Sequence, residues 1–512
     1  MSARVKKILL LLLAAALLAG SGQMQKQLNR DREVLGLTRT DVLDNAPPML
    51  AFTTVALGGF RGLISNFLWI RANDLQQDDK YFEAAQLANW ITDLEPHFTQ
   101  VWTFQAWNMA YNISVKFKDF PDRWRWVENG IELLRDQGLR YNPNDTVMYQ
   151  QLAWFFQHKM GQNLDDANQY YKQQWIVEMA PLFGADGADF ASLMQPHNTN
   201  AMVLRSKYKM DPAFAEKVNA QYGPLDWRLP EAQAIYWGAF GLQQAKEHPD
   251  KMNADDLIQL RRNVYQSMLQ AFYHGRFVAD PFARTYSLGP NLDLVPKVNE
   301  AYETMMQEDP KDRDHIAVAH RNFLRNAIYF LYGDNRVADA AKWFRLLGEE
   351  YPNKTIIDRD TNSYPRNVSL DEYAVARFQE DVGDTSQERT TADVQALLAQ
   401  AYYALATGQD NRYAGYRLLA AKVYEHYQTQ ISDFKTSQQR IGLPPFADLN
   451  RDVLDRLLDP QHEVMPYDVR AVIRSQLGLP GETNLPAPAT IATNVPVPVV
   501  STDTNAIAPA GK

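Results

Sequence analysis

The chain has 512 residues, 46% of them hydrophobic, enough to bury more than one core without disulfides or metal staples. Its 61 acidic against 52 basic side chains leave a net charge of −9, which opposes polyanionic partners such as nucleic acid. The absence of cysteine excludes disulfides, thiolate metal sites, a cysteine nucleophile and a lipid-bearing cysteine.

The N-terminus, MSARVKKILLLLLAAALLAGSGQ, places Arg4, Lys6 and Lys7 before an apolar core from Ile8 to Ala19. A basic region, a short apolar run and a small-residue end predict an exported chain, with residues 1–23 a cleaved signal peptide or a retained signal anchor. A linker or juxtamembrane segment follows at 24–46. Between Pro47 and Ile70 the only charge is Arg61, and Gly58, Gly59 and Gly62 interrupt the run. An arginine in mid-span costs about 2.5–3.5 kcal/mol, so this stretch is expected to be a helix in solution or against a membrane rather than a second span. Leu63, Phe67 and Ile70 fall at i, i+4 and i+7, which predicts an amphipathic helix burying that stripe.

Helical pairs closed by proline come next. KYFEAAQLANWITDLEP ends at Pro96, GIELLRDQGLRYNP at Pro143 and VADAAKWFRLLGEEYP at Pro352. Six residues past Pro96 stands Trp102, followed by Ala106 and Met109. Six past Pro143 stands Tyr149, then Leu152, Ala153 and Phe156. Before Pro96 the small and bulky positions are Ala84, Ala88 and Ile91; before Pro352 they are Ala340, Phe344 and Leu347, preceded by Phe323, Ala327 and Phe330.

This pattern resembles the tetratricopeptide repeat (TPR), a helix-turn-helix unit of about 34 residues in which small residues let two helices approach and rings fill the gaps between pairs. The spacing from Pro96 to Pro143 is 47, with the surplus expected in the loop KFKDFPDR. The motifs LGGFRGL, LWIRA, WITDLEP, QAWNMAYNIS and LRYNP are also similar to a group of large bacterial envelope repeat proteins. That resemblance implies a place in the envelope and brings no chemistry.

Beyond the repeats, Pro224 and Pro230 bracket a turn before a helix from Glu231 to Ala245, and Asn253 is a candidate cap for the next. The segments TTADVQALLAQAYYALATG and NRYAGYRLLAAKVYEHY read as a further helix pair. The end of the chain, LPAPATIATNVPVPVVSTDTNAIAPAGK, is rich in Pro, Ala and Thr and predicts a disordered tether. The expected fold is therefore all-α: a TPR-like α-solenoid between an N-terminal signal or anchor helix and a disordered tail. Its segments are TPR-like repeats at 47–180, an irregular helical region at 181–312, a TPR-like hairpin at 313–353, a loop-rich insertion at 354–389, helices at 390–478 and the tail at 479–512.

Catalytic signatures are scarce. His315 and His320 stand five apart, not the four that would put both on one helix face toward a metal. DRDTNS, Asp358 to Ser363, begins like a calcium loop, but Ser363 replaces the turn glycine and Ser369 the bidentate glutamate. No nucleophile elbow or phosphate loop is present. The carboxylate pairs Asp78–Asp79, Asp165–Asp166 and Asp255–Asp256 fall near helix starts, where they complement the macrodipole. No catalytic residue, metal ligand or cofactor is expected.

The TPR register points Asn73 and Gln77, Trp107 and Tyr111, and Trp154 and His158 toward a concave face suited to an extended peptide. The competing reading is that Trp107 and Trp154 are interhelical packing. The expected function is non-catalytic: an envelope scaffold holding a protein or peptide partner, associated with the membrane through its N-terminus and placed in the periplasm or on the cytoplasmic membrane with its body outside the cytoplasm. Two alternatives stand beside it. One is a helical enzyme in residues 180–310, where Asp226, Trp227, Glu231 and Tyr236 cluster; the other is a structural module docked on a membrane through residues 47–70.

Overall fold

The computed structural model describes residues 60–162, 164–184, 186–249, 254–280, 285–358, 360–382, 387–432, 442–460 and 464–482, with a few positions between Gly20 and Arg30. The leader core, residues 31–59, Asn253 and all but the start of the tail lie outside them. The described chain is all-α apart from one hairpin of two strands, Arg276–Asp280 (β1) and Thr285–Gly289 (β2). It divides into two compact units, Met1–Val278 with Leu288–His320, and Ala279–Ser287 with Arg321–Lys512. Among the described residues no helix is long and apolar enough to cross a membrane.

The first unit opens with three helical hairpins. Helix α1 (Phe60–Gln77) pairs with α2 (Tyr81–Leu94), α3 (Thr99–Trp107) with α4 (Phe120–Glu132), and α5 (Thr146–Trp154), through its continuation Phe155–Gly161, with α6 (Asn168–Phe183). Each hairpin packs on the next: α2 on α3, α3 on α5, and α4 on α6. Local chemistry sets the starts. Pro121 sits in the first turn of α4, where its missing N–H costs nothing. The Asp145 carboxylate caps α5 by accepting from the Val147 amide at 3.0 Å.

Small residues lie in the helix contacts. Ala84, Ala88, Ile91, Ala106 and Ala153 are buried, and Leu68, Trp69, Phe98 and Phe104 close over Ala88, Ile91 and Val101. Between α3 and α4, a Cβ on Gly130 would come within 2.9 Å of the Ala106 carbonyl oxygen, so this crossing tolerates no larger residue. Close approach leaves helix ends short of water, and their carbonyls are met by the following hairpin. Trp102 Nε1 donates to the Pro96 carbonyl at 2.8 Å, and Tyr149 Oη donates to the Pro143 carbonyl at 2.6 Å. Asn142 Nδ2 adds bonds to Pro96 at 2.9 Å and Gly138 at 3.1 Å.

Two sequence expectations are corrected here. The loop KFKDFPDR does not hold the surplus of the 47-residue spacing, because α4 already begins at Phe120. Part of it is taken up inside the helices, which widen into π-helix at Asn108–Ile113 after α3 and Leu133–Gly138 after α4; a third π-helix, Phe155–Gly161, follows α5 beyond that interval. The stripe Leu63, Phe67 and Ile70 is not the buried face of α1. Those residues are 68%, 69% and 61% exposed, while Ser65, Ala72 and Leu75 face inward. Close contact with α2 favours small side chains over large ones, so the apolar period reports a face but not its direction.

The rest of the first unit comprises α7 (Phe190–Leu193), α8 (Thr199–Ser206), α9 (Pro212–Tyr222), α10 (Pro230–Glu247), α11 (Ala254–His274) and α12 (Val295–Glu308). Helices α10 and α11 pair and lie against α5. The division between the units falls inside α13 (Arg313–Gly333).

The second unit continues with α14 (Val337–Glu350), α15 (Leu370–Val382), α16 (Gln387–Ala406), α17 (Asp410–Ser432), α18 (Phe446–Leu458) and α19 (Tyr467–Gln476). Helices α16 and α17 form its main hairpin, with α18 and α19 against α16. Helix α15 stands within the stretch expected to be loop-rich. Its start is a capping box: Ser369 Oγ accepts from the Glu372 amide at 3.2 Å, and the Glu372 carboxylate accepts from the Ser369 amide at 2.7 Å. The Ser363 hydroxyl is likewise structural, donating toward the Asp360 carbonyl at 2.7 Å and accepting from the Ile357 amide at 3.0 Å.

Replacing Asn142 with alanine leaves the buried Pro96 and Gly138 carbonyls each one donor short, and a net cost of about 1–3 kcal/mol is expected. Tyr149→Phe should cost less, since the exposed Pro143 leaves its carbonyl open to water. Urea midpoints of the two variants against the parent chain check the ranking.

Candidate functional site

Four of the six residues expected on the concave face form one contiguous ladder of rings. Trp107 stacks on Tyr111, with centroids 5.4 Å apart and planes 18° from parallel. Trp154 stacks on His158 at 4.4 Å and 14°. These are equivalent pairs, 47 residues apart, and each bridges the point where an α-helix widens into a π-turn. The rung between hairpins is Tyr111 Oη, 3.0 Å from His158 Nδ1. Burial and the neighbouring Lys159 charge hold the imidazole below its ordinary pKa, so it is neutral at neutral pH and its tautomer sets which of the two groups donates. Burial, opposed by a hydrogen bond from Trp154, pushes the Tyr111 phenol well above its usual range. The ladder therefore carries no charge. Trp107 is 38% exposed at one end, and Tyr111, Trp154 and His158 are half-buried.

The other two candidates do not join the ladder by any hydrogen bond or ring contact. Asn73 Nδ2 donates to the Trp69 carbonyl of its own helix at 2.9 Å, and Gln77 is exposed.

Behind the rings lies an ion network that the sequence reading missed. Lys159 Nζ sits 5.0 Å from the Tyr111 ring centroid and 2.5 Å from Asp165 Oδ2. Asp165 also accepts from Tyr171 Oη at 3.1 Å and from Arg123 at 3.2 Å, and Arg123 reaches Asp166 as well. Arg123 belongs to the second hairpin and Lys159 and Asp165 to the third, so the network ties one to the other. Burial raises the Asp165 pKa, but the Lys159 hydrogen bond, the Ala167 amide and the Lys159 charge outweigh it and leave the carboxyl below its ordinary value. Lysine and aspartate six residues apart, bracketing a turn, were the available signal.

The chain covers part of the neighbouring face itself. Gln157 Nε2 donates to Gln266 Oε1 at 2.9 Å, and Asn263 Nδ2 donates to the Gln150 carbonyl at 3.0 Å, so α11 runs beside the Trp154–His158 edge. On its far side α11 borders a cleft of about 580 Å³ shared with α12 and the first turns of α13. Tyr265, Leu269, Tyr302 and Met305 line it, and the rim charges are paired, Arg261 with Glu308 at 3.5 Å and Arg262 with Asp312 at 3.3 Å.

The residues considered for an enzyme have structural bonds. The Asp226 carboxylate is closed by the Arg228 guanidinium in two bonds of 2.8 and 2.6 Å. Trp227 Nε1 donates to Asn219 Oδ1 at 3.2 Å, and Tyr236 Oη accepts from the Asp211 amide at 2.8 Å. Glu231 differs: it is fully buried near the start of α10, and neither carboxylate oxygen meets a donor from another residue. Burial, against the buried Lys172 charge and with the help of Asp226, pushes its pKa up to about 7. His315 lines the cleft, whereas His320 is buried against Asn299 Oδ1 at 2.8 Å. Among the described residues no group of three acids or histidines is placed to hold a metal.

Compared with known proteins, the chain matches no family model, no curated sequence and no solved structure.

Two outcomes follow from the ionisable groups. Asp165→Asn strands a buried lysine and is expected to cost about 3–5 kcal/mol by urea unfolding. In the parent chain the Asp165 contribution is complete above its unfolded pKa of 3.8 and is lost as pH falls through the lower folded value, so the loss belongs to strong acid. Glu231 has the opposite sign. Its folded pKa of about 7 exceeds the unfolded 4.5, so stability is full below 4.5 and declines as pH rises to about 7. The decline attributable to it is roughly 3 kcal/mol, and Glu231→Gln should remove most of it. Thermal midpoints of both chains between pH 4.5 and 8 read the difference.

Proposed function

We propose that the first unit is a TPR-like solenoid in an exported envelope protein, and that its work is non-catalytic: holding a protein or peptide partner against the ring ladder Trp107, Tyr111, His158 and Trp154. The carrying observation is the ladder's continuity across two hairpins, joined by the 3.0 Å Tyr111–His158 bond. An uncharged aromatic strip with a half-exposed indole suits an extended chain that offers apolar side chains and backbone groups. Repeat geometry supports the same reading, since stacked hairpins present equivalent residues at a fixed interval. Asn73 and Gln77 remain on the first hairpin as polar neighbours of such a path. No cofactor enters the reading, and the acidic chain is a poor match for nucleic acid.

A second reading, a helical enzyme, has one observation in its favour, the unpartnered Glu231 carboxylate beside the Lys172 charge. It lacks a companion group, because Asp226, Trp227 and Tyr236 are engaged in holding the fold. Glu231→Gln that abolishes the protein's cellular role while folding normally would favour this reading over the scaffold.

A photoreactive amino acid at position 107 in the native envelope is expected to give discrete adducts that a probe at the exposed Gln137 does not. Trp107→Ala with Trp154→Ala should reduce those adducts, probed from position 111, at least about tenfold, the loss of one or two aromatic hot spots. Unchanged far-UV circular dichroism separates lost binding from unfolding. Equal adducts from the double variant would remove the ladder from the function.

A further inference from the structure

The outward face of α1 carries a stripe that water alone does not suit. Leu63, Phe67 and Ile70 lie along one line of the helix, each more than 60% exposed, with Ile64 at 37% beside them. The inward side holds Ser65, Ala72 and Leu75. A stack of hairpins ordinarily presents a polar outer face, and α1 instead presents apolar side chains at these positions. The line ends abruptly: its next position is the exposed Asp74, and the exposed Arg71 flanks it. The apolar part thus occupies only the first turns of the helix.

We propose that the first half of α1 lies in the interfacial region of a lipid bilayer, with Leu63, Phe67 and Ile70 inserted among the acyl chains and Asp74 clear of them. The inference rests on reading residues 1–23 as a segment that brings the chain to a membrane. The size of the stripe selects lipid over a protein cover. It is four side chains along about 10 Å of one helix at 1.5 Å per residue, far from the roughly 20–30 residues a side of a stable protein interface. A chain already tethered needs only weak added affinity, which a few apolar side chains supply. The thirteen residues 47–59, joined directly to α1, contain no charged side chain, so the approach to the helix is compatible with the same environment. Arg71 can extend its guanidinium to the headgroups while its stem lies along the apolar surface.

The absence of cysteine makes the test clean, since one introduced thiol is the only thiol. Single-cysteine variants of the full-length chain at Leu63, Phe67, Ile70, Asp74 and Gln77 carry an environment-sensitive fluorophore. Each is reconstituted with phosphatidylethanolamine and phosphatidylglycerol vesicles containing a nitroxide high on the acyl chain. The labels at 63, 67 and 70 should be quenched roughly two-fold or more, as for a helix about 5–10 Å into the boundary, and those at 74 and 77 quenched by aqueous iodide instead. Vesicle flotation is read on the same samples. Flotation without lipid quenching at 63, 67 and 70 overturns the proposal and leaves the membrane-directed reading standing. Within that result, shielding from both quenchers assigns the stripe to residues 31–59 or a second protein, and iodide access leaves it uncovered. Failure to float overturns both.

Discussion

A helix that ends against a neighbour must find donors for the carbonyls it leaves open. In the hairpin stack this requirement fixes how one unit meets the next. Proline stops the second helix, and the carbonyl beyond it is taken by the Trp102 indole in one hairpin junction and by the Tyr149 phenol in the following one. Both donors stand six residues downstream. The aromatic at the opening of each of these two hairpins therefore does more than fill space: its polar end satisfies the carbonyl where the preceding helix stops. At Pro352 the same office passes to Arg366, whose guanidinium reaches the carbonyl at 3.2 Å.

Helix widening is the second consequence of tight stacking. A π-turn admits an extra residue without breaking the helix and redirects the side chains on either side of it. In α3 and α5 the turn begins immediately after a tryptophan, and the ring four residues later stacks on that indole. Two such pairs brought together by the stack make an aromatic strip. The buried Lys159–Asp165–Arg123 network supports it from behind and holds adjacent hairpins in register.

Much of the architecture was legible because it rests on local rules. Proline stops, the alanine notches at Ala84, Ala88, Ala106 and Ala153, and the rings six residues past Pro96 and Pro143 all act over a few turns of helix. Position relative to partners was less legible. The period of Leu63, Phe67 and Ile70 marks a face, but whether that face turns in or out depends on how closely α2 approaches. The helix α15 was masked by its loop-like surroundings, although Ser-Leu-Asp-Glu at 369–372 is a capping box. Asp165 looked like a dipole-complementing carboxylate, and only the packing of α6 on α4 makes it the centre of an ion network. Of the candidate face, the ring pairs within one helix followed from i, i+4 spacing; the bond between Tyr111 and His158 depended on the stack, and Asn73 and Gln77 did not enter it.

Helix α11 gives the array a direction. It lies along α5 through Gln266 and Asn263. One flank of the third hairpin is thereby closed by the chain itself, so the hairpin stack is asymmetric along its length.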